Sequence, residues 1–220
     1  MNSTKPIAAL FDFDGVVMDT ETQYTVFWNK VGKQYYPETK DFGAIIKGMT
    51  LVQIYDKYFK NQLEVQASIT AGLTDFENHM SFNYIDGVVA FMRSLKEREV
   101  RSAIITSSNQ PKMANVYAAH PELKELVDRI LTSEDFTRSK PFPDCFLLGA
   151  KSLETVPENC VVFEDSFHGI QAGNAAGMKV VGLSTTNPAE AIRDKCHRVI
   201  GDFQTFTYAD MMDVLTDSDK

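Results

Sequence analysis

Within IAALFDFDGVVMDT, an apolar run from Ile7 ends on two aspartates one residue apart, Asp12 and Asp14, followed by Gly15. In an extended segment alternate residues share a face, so the two carboxylates converge on one small space. Their repulsion there demands a cation or a shared proton. A lone DxDG is about as often a strand end running into an Asp-Gly turn. Three later stretches weigh against that reading. AIITSSNQPKM sets Thr106, Ser107, Ser108 and Asn109 between an apolar run and Pro111, which suits the first turn of a helix. Hydroxyls and free N–H groups at a helix start bind phosphate oxygens, although Ser and Asn there also serve as ordinary N-caps. SKPFPDCF carries Lys140 into a Pro-rich helix start, where a lysine by itself would be a solvated surface charge. VVFEDSFHGIQAGNAAGM ends a second apolar run on Glu164 and Asp165, with His168 read as a cap or packing residue.

A carboxylate pair, a hydroxyl-rich anion site, a lysine and a second carboxylate pair together make a magnesium-dependent phosphoryl-transfer centre. Mg²⁺ prefers hard oxygen ligands and keeps several waters, so Asp12, Asp165 and a substrate phosphate satisfy it. A carboxylate is also a nucleophile toward phosphorus, and an aspartyl-phosphate divides one hard displacement into two easier ones. The metal and Lys140 then neutralise the equatorial oxygens.

These groups need a sheet edge to hold them. A strand buried on both faces, such as Ile7 to Phe11, carries the residues after it to the carboxyl edge of a parallel sheet. Further strand candidates lie at 102–106, 129–131, 160–164, 179–183 and 198–200, separated by helical segments. The expected fold is therefore α/β with a doubly wound parallel sheet. Between the first two strands the pattern is helical: Tyr24, Phe27, Trp28 and Val31 recur at helical spacing, and helices are expected near 51–59 and 63–80. The expected division is a catalytic core of residues 1–16 and 85–220 and a small helical domain of residues 17–84 that hangs over the sheet edge as a lid.

The formal charge of −8 over 220 residues argues against nucleic acid as a partner. Cys145, Cys160 and Cys196 are odd in number, widely spaced and without CxxC, which argues against a disulfide framework or a zinc site. They are expected to be reduced thiols in a cytoplasmic protein. No signal peptide, membrane span or membrane partner is expected. Nothing in the pattern demands more than a monomer.

The four motifs, DFDG, IITSSN, KPFPDCF and EDSFHGIQAGNAAGM, resemble those of the haloacid dehalogenase superfamily, in the branch of β-phosphoglucomutases and small sugar-phosphate phosphatases. The similarity runs from about Ile7 to Phe206. It implies that Asp12 is the nucleophile and Asp14 the general acid/base, with the Asp14 main-chain carbonyl also on Mg²⁺. Thr106 and Lys140 match the second and third motifs, and Gly15, Ser107, Ser108 and Asn109 fall at phosphate-binding positions. Asp165 is implied as a metal ligand and Glu164 as a direct or water-mediated one. Asp14 must be protonated in the first half-reaction, and crowding by carboxylates is expected to raise its pKa while the metal opposes this.

The resemblance also implies a helical cap, and it leans toward hydrolysis. Tyr24 stands where the mutases have histidine, and Asp19-Thr20-Glu21 is similar to the phosphatase pattern, placing Glu21 among the substrate contacts. KGMTLVQ resembles the substrate loop, with Lys47 and Gly48 in place, but Leu51 replaces the arginine that grips a distal phosphate. Leucine cannot imitate that bidentate clamp. The expectation is a phosphatase of small phosphorylated metabolites, chiefly sugar phosphates. The alternative is a β-phosphoglucomutase interconverting β-glucose 1-phosphate and glucose 6-phosphate. A third reading, a non-catalytic phospholigand-binding protein, is disfavoured because Asp12, Asp14, Lys140 and Asp165 are all present.

Overall fold

A computed structural model describes residues 6–47 and 49–217. Gly48, expected in the substrate loop, lies outside the described residues. The chain runs β1 (Ala8–Phe11), α1 (Glu21–Tyr35), α2 (Phe42–Ile45), α3 (Leu51–Tyr58), α4 (Leu63–His79), α5 (Val88–Lys96) and β2 (Arg101–Ile105). It continues with α6 (Gln110–Ala119), α7 (Leu123–Leu126), β3 (Arg129–Leu131), α8 (Asp144–Ser152), β4 (Cys160–Glu164), α9 (Phe167–Ala175), β5 (Lys179–Leu183), α10 (Ala189–Ile192), β6 (Arg198–Ile200) and α11 (Tyr208–Thr216).

All six strands are parallel, in the order β3-β2-β1-β4-β5-β6. β1 is central because it carries no polar residue and is buried on both faces. Its side chains alternate between two cores. Ala9 and Phe11 face a layer with Phe91, Met92 and Met211, while Ala8 and Leu10 face Phe146, Ala150 and Ile170. The first layer is held by an aromatic group in which Phe11 stacks on Phe163 at 4.8 Å and Phe91 on Phe203 at 5.3 Å. β1 pairs with β2 on one side and β4 on the other, so strand order reverses there. Open α/β sheets bind ligands at the carboxyl edge beside such a switch point.

Helices α1 to α4 bury a third cluster of their own, including Trp28, Phe42, Ile54, Phe59 and Ile69. The short α2, which sequence periodicity does not disclose, packs Phe42 against Gly32 of α1, where a Cβ would come within 2.4 Å of the ring side chain. The chain leaves the sheet and returns to it at one place: the Asp19 N–H donates to the Asn83 carbonyl at 2.8 Å and the Ile85 N–H to the Val17 carbonyl at 3.0 Å. No helix among the described residues is long and apolar enough to cross a membrane.

Candidate active site

Asp12 follows β1 directly, its N–H still bonded in strand fashion to the Phe163 carbonyl at 2.9 Å. Glu164 ends β4 and Asp165 follows it. The neighbouring strands thus bring one oxygen each from Asp12, Glu164 and Asp165 within 4.8 Å of one another. Lys140 is buried against them, with Nζ 2.5 Å from Asp12 Oδ1 and 2.6 Å from Glu164 Oε1. Burial alone would push this ammonium down, but the charges of Asp12 and Glu164 outweigh it and hold Lys140 above its ordinary value. Burial pushes Asp12 up to about 8 against the pull of Lys140, with Glu164 adding to the rise.

Glu164 is fully enclosed. Its Oε2 accepts from the N–H groups of Asp165 and Ser166 and from Ser166 Oγ. Ser166 Oγ in turn accepts from the Gly169 N–H and caps α9. Asp165 is different: its Oδ2 is buried and has no hydrogen-bond partner among the described residues. Burial, then repulsion from Glu21, Glu164 and Asp12, raise its pKa well above the usual carboxylate range. An orphaned oxygen inside a carboxylate cluster fits a hard divalent cation, which would satisfy it and reverse the local repulsion.

Asp14 is directed elsewhere. Its carboxylate accepts from Lys112 Nζ at 2.5 and 2.7 Å, from Ser108 Oγ at 2.8 Å, and from Thr20 Oγ1. Burial would raise its pKa, but Lys112, aided by Ser108 and Thr20, holds it below the ordinary value. The expectation of a raised Asp14 is therefore corrected: the nearest charge is an ammonium and not another carboxylate. Lys112 is the residue that sequence reasoning missed. It follows Pro111 in the first turn of α6, where a lysine ordinarily faces solvent, yet only 2% of it is exposed.

The second-motif residues divide their tasks. Thr106 is buried, and its Oγ1 accepts from the Ser108 N–H at 3.0 Å. Ser107 Oγ lies 3.3 Å from Ser139 Oγ, and Asn109 Oδ1 caps α6 through the Lys112 N–H at 3.0 Å. The N-cap reading of Asn109 is thus present in the structure. Gly15, expected at phosphate, gives its N–H to the Met18 carbonyl at 2.8 Å. What the structure requires of it is space: at φ +80°, a Cβ there would stand 2.0 Å from Asp165 Oδ2.

Above the sheet edge is a cavity of about 740 Å³, lined by Asp12, Asp14, Ser107, Ser108, Asn109, Lys140 and Asp165 from below and by Glu21, Tyr24, Trp28, Lys47 and Leu51 from the helices. Thr106, Gly15 and Glu164 are not among its lining residues. Lys47 Nζ pairs with Glu21 Oε2 at 3.4 Å. Glu21 is pushed up to about 7 by burial and by Asp14, with Lys47 opposing. Two hydrogen bonds join the helices to the sheet edge across the cavity. His168 Nδ1 meets the Lys47 carbonyl at 2.9 Å, and Gln53 Nε2 donates to the Lys140 carbonyl at 3.2 Å. His168 is therefore neither the helix cap, which is Ser166, nor a simple packing residue.

A family model described as haloacid dehalogenase-like hydrolase matches residues 9–183. The chain is 28% identical over 227 residues to a probable pseudouridine-5'-phosphatase of Saccharomyces cerevisiae, covering 90% of this chain and 89% of that protein. It is 30% identical over 184 residues to the fructose-1-phosphate phosphatase YqaB of Escherichia coli, covering 79% and 94%. In fold it is similar to the crystal structure of a HAD hydrolase, family IA, variant 3, from Entamoeba histolytica, with TM-score 0.83, 21% identity and coverage of 96% and 100%.

Proposed function

Because the chain belongs to the haloacid dehalogenase-like hydrolase family, we propose that it is a Mg²⁺-dependent phosphatase of small phosphorylated metabolites, chiefly sugar phosphates, working through phospho-Asp12. The observation that carries this reading is the separation of the two motif aspartates. Asp12 lies in the carboxylate cluster beside Lys140, while Asp14 is turned to a set of hydrogen-bond donors on the opposite wall. This separation supports a division of labour in which Asp12 attacks phosphorus and Asp14 handles protons.

An Asp12 oxygen bonds to phosphorus as the ester P–O bond breaks, and Asp14 gives its proton to the departing alcohol oxygen. Water then attacks phosphorus, loses its proton to Asp14, and releases phosphate and free Asp12. Lys140 and the Ser107 hydroxyl hold the phosphoryl oxygens, while the Ser108 hydroxyl is given to Asp14. Asp12, Asp165, the Asp14 main-chain carbonyl and, directly or through water, Glu164 would hold Mg²⁺, which would supply charge neutralisation and orientation.

The helices of residues 17–84 serve as the lid, with Lys47 and Glu21 meeting the body of the substrate. Lys47 is already paired, and Leu51 brings no charge, which supports a substrate with one phosphate rather than two. The curated relatives' names point to phosphorylated sugars and nucleosides as the class to screen. All three cysteines are buried, and reduced thiols suit a compartment such as the cytoplasm.

The test follows phosphate release from a panel of monophosphates, together with glucose 6-phosphate formed from β-glucose 1-phosphate plus a trace of glucose 1,6-bisphosphate. Phosphate release that requires Mg²⁺ and falls on the order of 10³-fold or more in Asp12→Asn is expected. Isomerisation without phosphate release would establish the mutase instead, and full turnover by Asp12→Asn would end the covalent mechanism.

A further inference from the structure

Lys112 is a buried cation on a core helix, and the two half-reactions of the phosphatase give it no part. Its Nζ touches both Asp14 oxygens, at 2.5 and 2.7 Å, and Ser108 Oγ at 2.9 Å. It is also seated over the Tyr24 ring at 4.4 Å and near the Phe13 ring at 5.5 Å. Tyr24 belongs to α1 and is itself fixed, its hydroxyl donating to Glu77 Oε1 of α4 at 2.8 Å. Asp14 is thus gripped from three directions: by Lys112 of α6, by Ser108 of the loop before it, and by Thr20 at the start of the helical insertion. Every one of these contacts is a donor to the carboxylate, so the arrangement suits an Asp14 that is about to accept a proton. That is its condition before water attacks phospho-Asp12.

Resting on the phosphatase reading, we propose that Lys112 is a positioning residue that holds Asp14 in place for hydrolysis of phospho-Asp12, so that its removal stalls the second half-reaction and spares the first wherever the leaving group departs without a proton. In that second step the water oxygen forms its bond to phosphorus as the P–O bond to Asp12 breaks, and one water proton passes to the Asp14 oxygen. A base displaced by about an ångström loses roughly 100-fold in such a step. The first step does not need Asp14 when the leaving group departs without a proton. The two steps are therefore separable with p-nitrophenyl phosphate, because p-nitrophenolate leaves unaided.

Lys112→Met removes the ammonium and keeps most of the stem, and Lys112→Gln leaves a donor should the Met variant not fold. With p-nitrophenyl phosphate, either variant is expected to keep kcat/KM, which reports the first step, while kcat and KM fall together by roughly 100-fold. Rapid acid quench and intact-protein mass should then find phospho-Asp12 accumulated to nearly one per chain, with an initial burst of p-nitrophenol. Lys112→Arg should recover part of kcat, since a guanidinium also donates twice to a carboxylate.

Unchanged kcat in a folded variant overturns the proposal, as does an equal loss of kcat and kcat/KM without phosphoenzyme, which marks general damage to the site. A wild-type protein that releases no phosphate from any ester overturns the phosphatase reading and this inference with it. An active wild type beside an unaffected variant overturns the inference alone.

Discussion

Gly169 lies under the Glu164 carboxylate, and a Cβ added to it would come within 1.7 Å of Oε1. Glu164 cannot step aside cheaply, because Lys140, two backbone N–H groups and Ser166 Oγ all hold it. Gly169→Ala is therefore expected to displace a buried charge from its partners and to cost about 3 kcal/mol of stability, read by denaturant unfolding. An ordinary exposed-helix Gly→Ala change would instead stabilise, so the sign alone is diagnostic. Asp12, Asp14, Glu164 and Asp165 are legible in the sequence because each closes or follows an apolar run, and parallel strands carry such ends to one edge, whereas Lys140 is legible only from its place in KPFPDCF beside the other motifs. Lys112 is not, because its burial comes from the rings of Phe13 and Tyr24, which meet it only in three dimensions. The direction of the Asp14 pKa was missed for the same reason. Gly15 and Gly169 sit inside legible motifs, but their service to Asp165 and Glu164 is a matter of space that no spacing rule reveals.

Among the elements, α3 begins with a reciprocal cap. The Gln53 N–H donates to Thr50 Oγ1 at 3.3 Å, and the Thr50 N–H donates to Gln53 Oε1 at 2.7 Å. Gln53 also spends its amide nitrogen on the Lys140 carbonyl, so one side chain both starts a helix and fastens it to the sheet edge. Gln53→Ala is expected to raise KM about fivefold, with kcat nearly unchanged and about 1 kcal/mol lost from the helical insertion. A change confined to kcat would contradict this. The strands and the helices expected near 51–59 and 63–80 were read to within a residue or two: α4, expected over 63–80, spans Leu63–His79. The four-residue α2, α7 and α10 escaped, since one turn is too short to display a period. The cross-links made by Gln53 and His168 escaped as well, because both end on main-chain carbonyls, which sequence does not distinguish.

For the molecule as a unit, stability rests on the aromatic layer under the sheet and on the charges at its edge. Phe163 is fully buried and faces Phe11, Phe91, Phe203 and Phe206. Phe163→Ala is expected to cost about 3–5 kcal/mol and to lower Tm by roughly 10 °C in a thermal scan. A divalent cation held by the carboxylate cluster would act on the same balance by mass action. Mg²⁺ at about 100 times its Kd should add roughly 2.7 kcal/mol, and Asp165→Asn should abolish that increment. An Asp165→Asn protein that still gains the full increment would place the cation elsewhere. The paired Val17–Asp19 and Asn83–Ile85 segments also bear on the order in which the chain folds. β1 must find β2 across the whole helical insertion, Ala8 pairing with Arg101. A loose loop of that length costs on the order of 4 kcal/mol to close. An insertion that folds first, with its ends already side by side, removes most of that cost. The helices would then act as a clasp for the nascent sheet, and a cavity mutation such as Phe59→Ala in their cluster should slow refolding of the sheet it never touches.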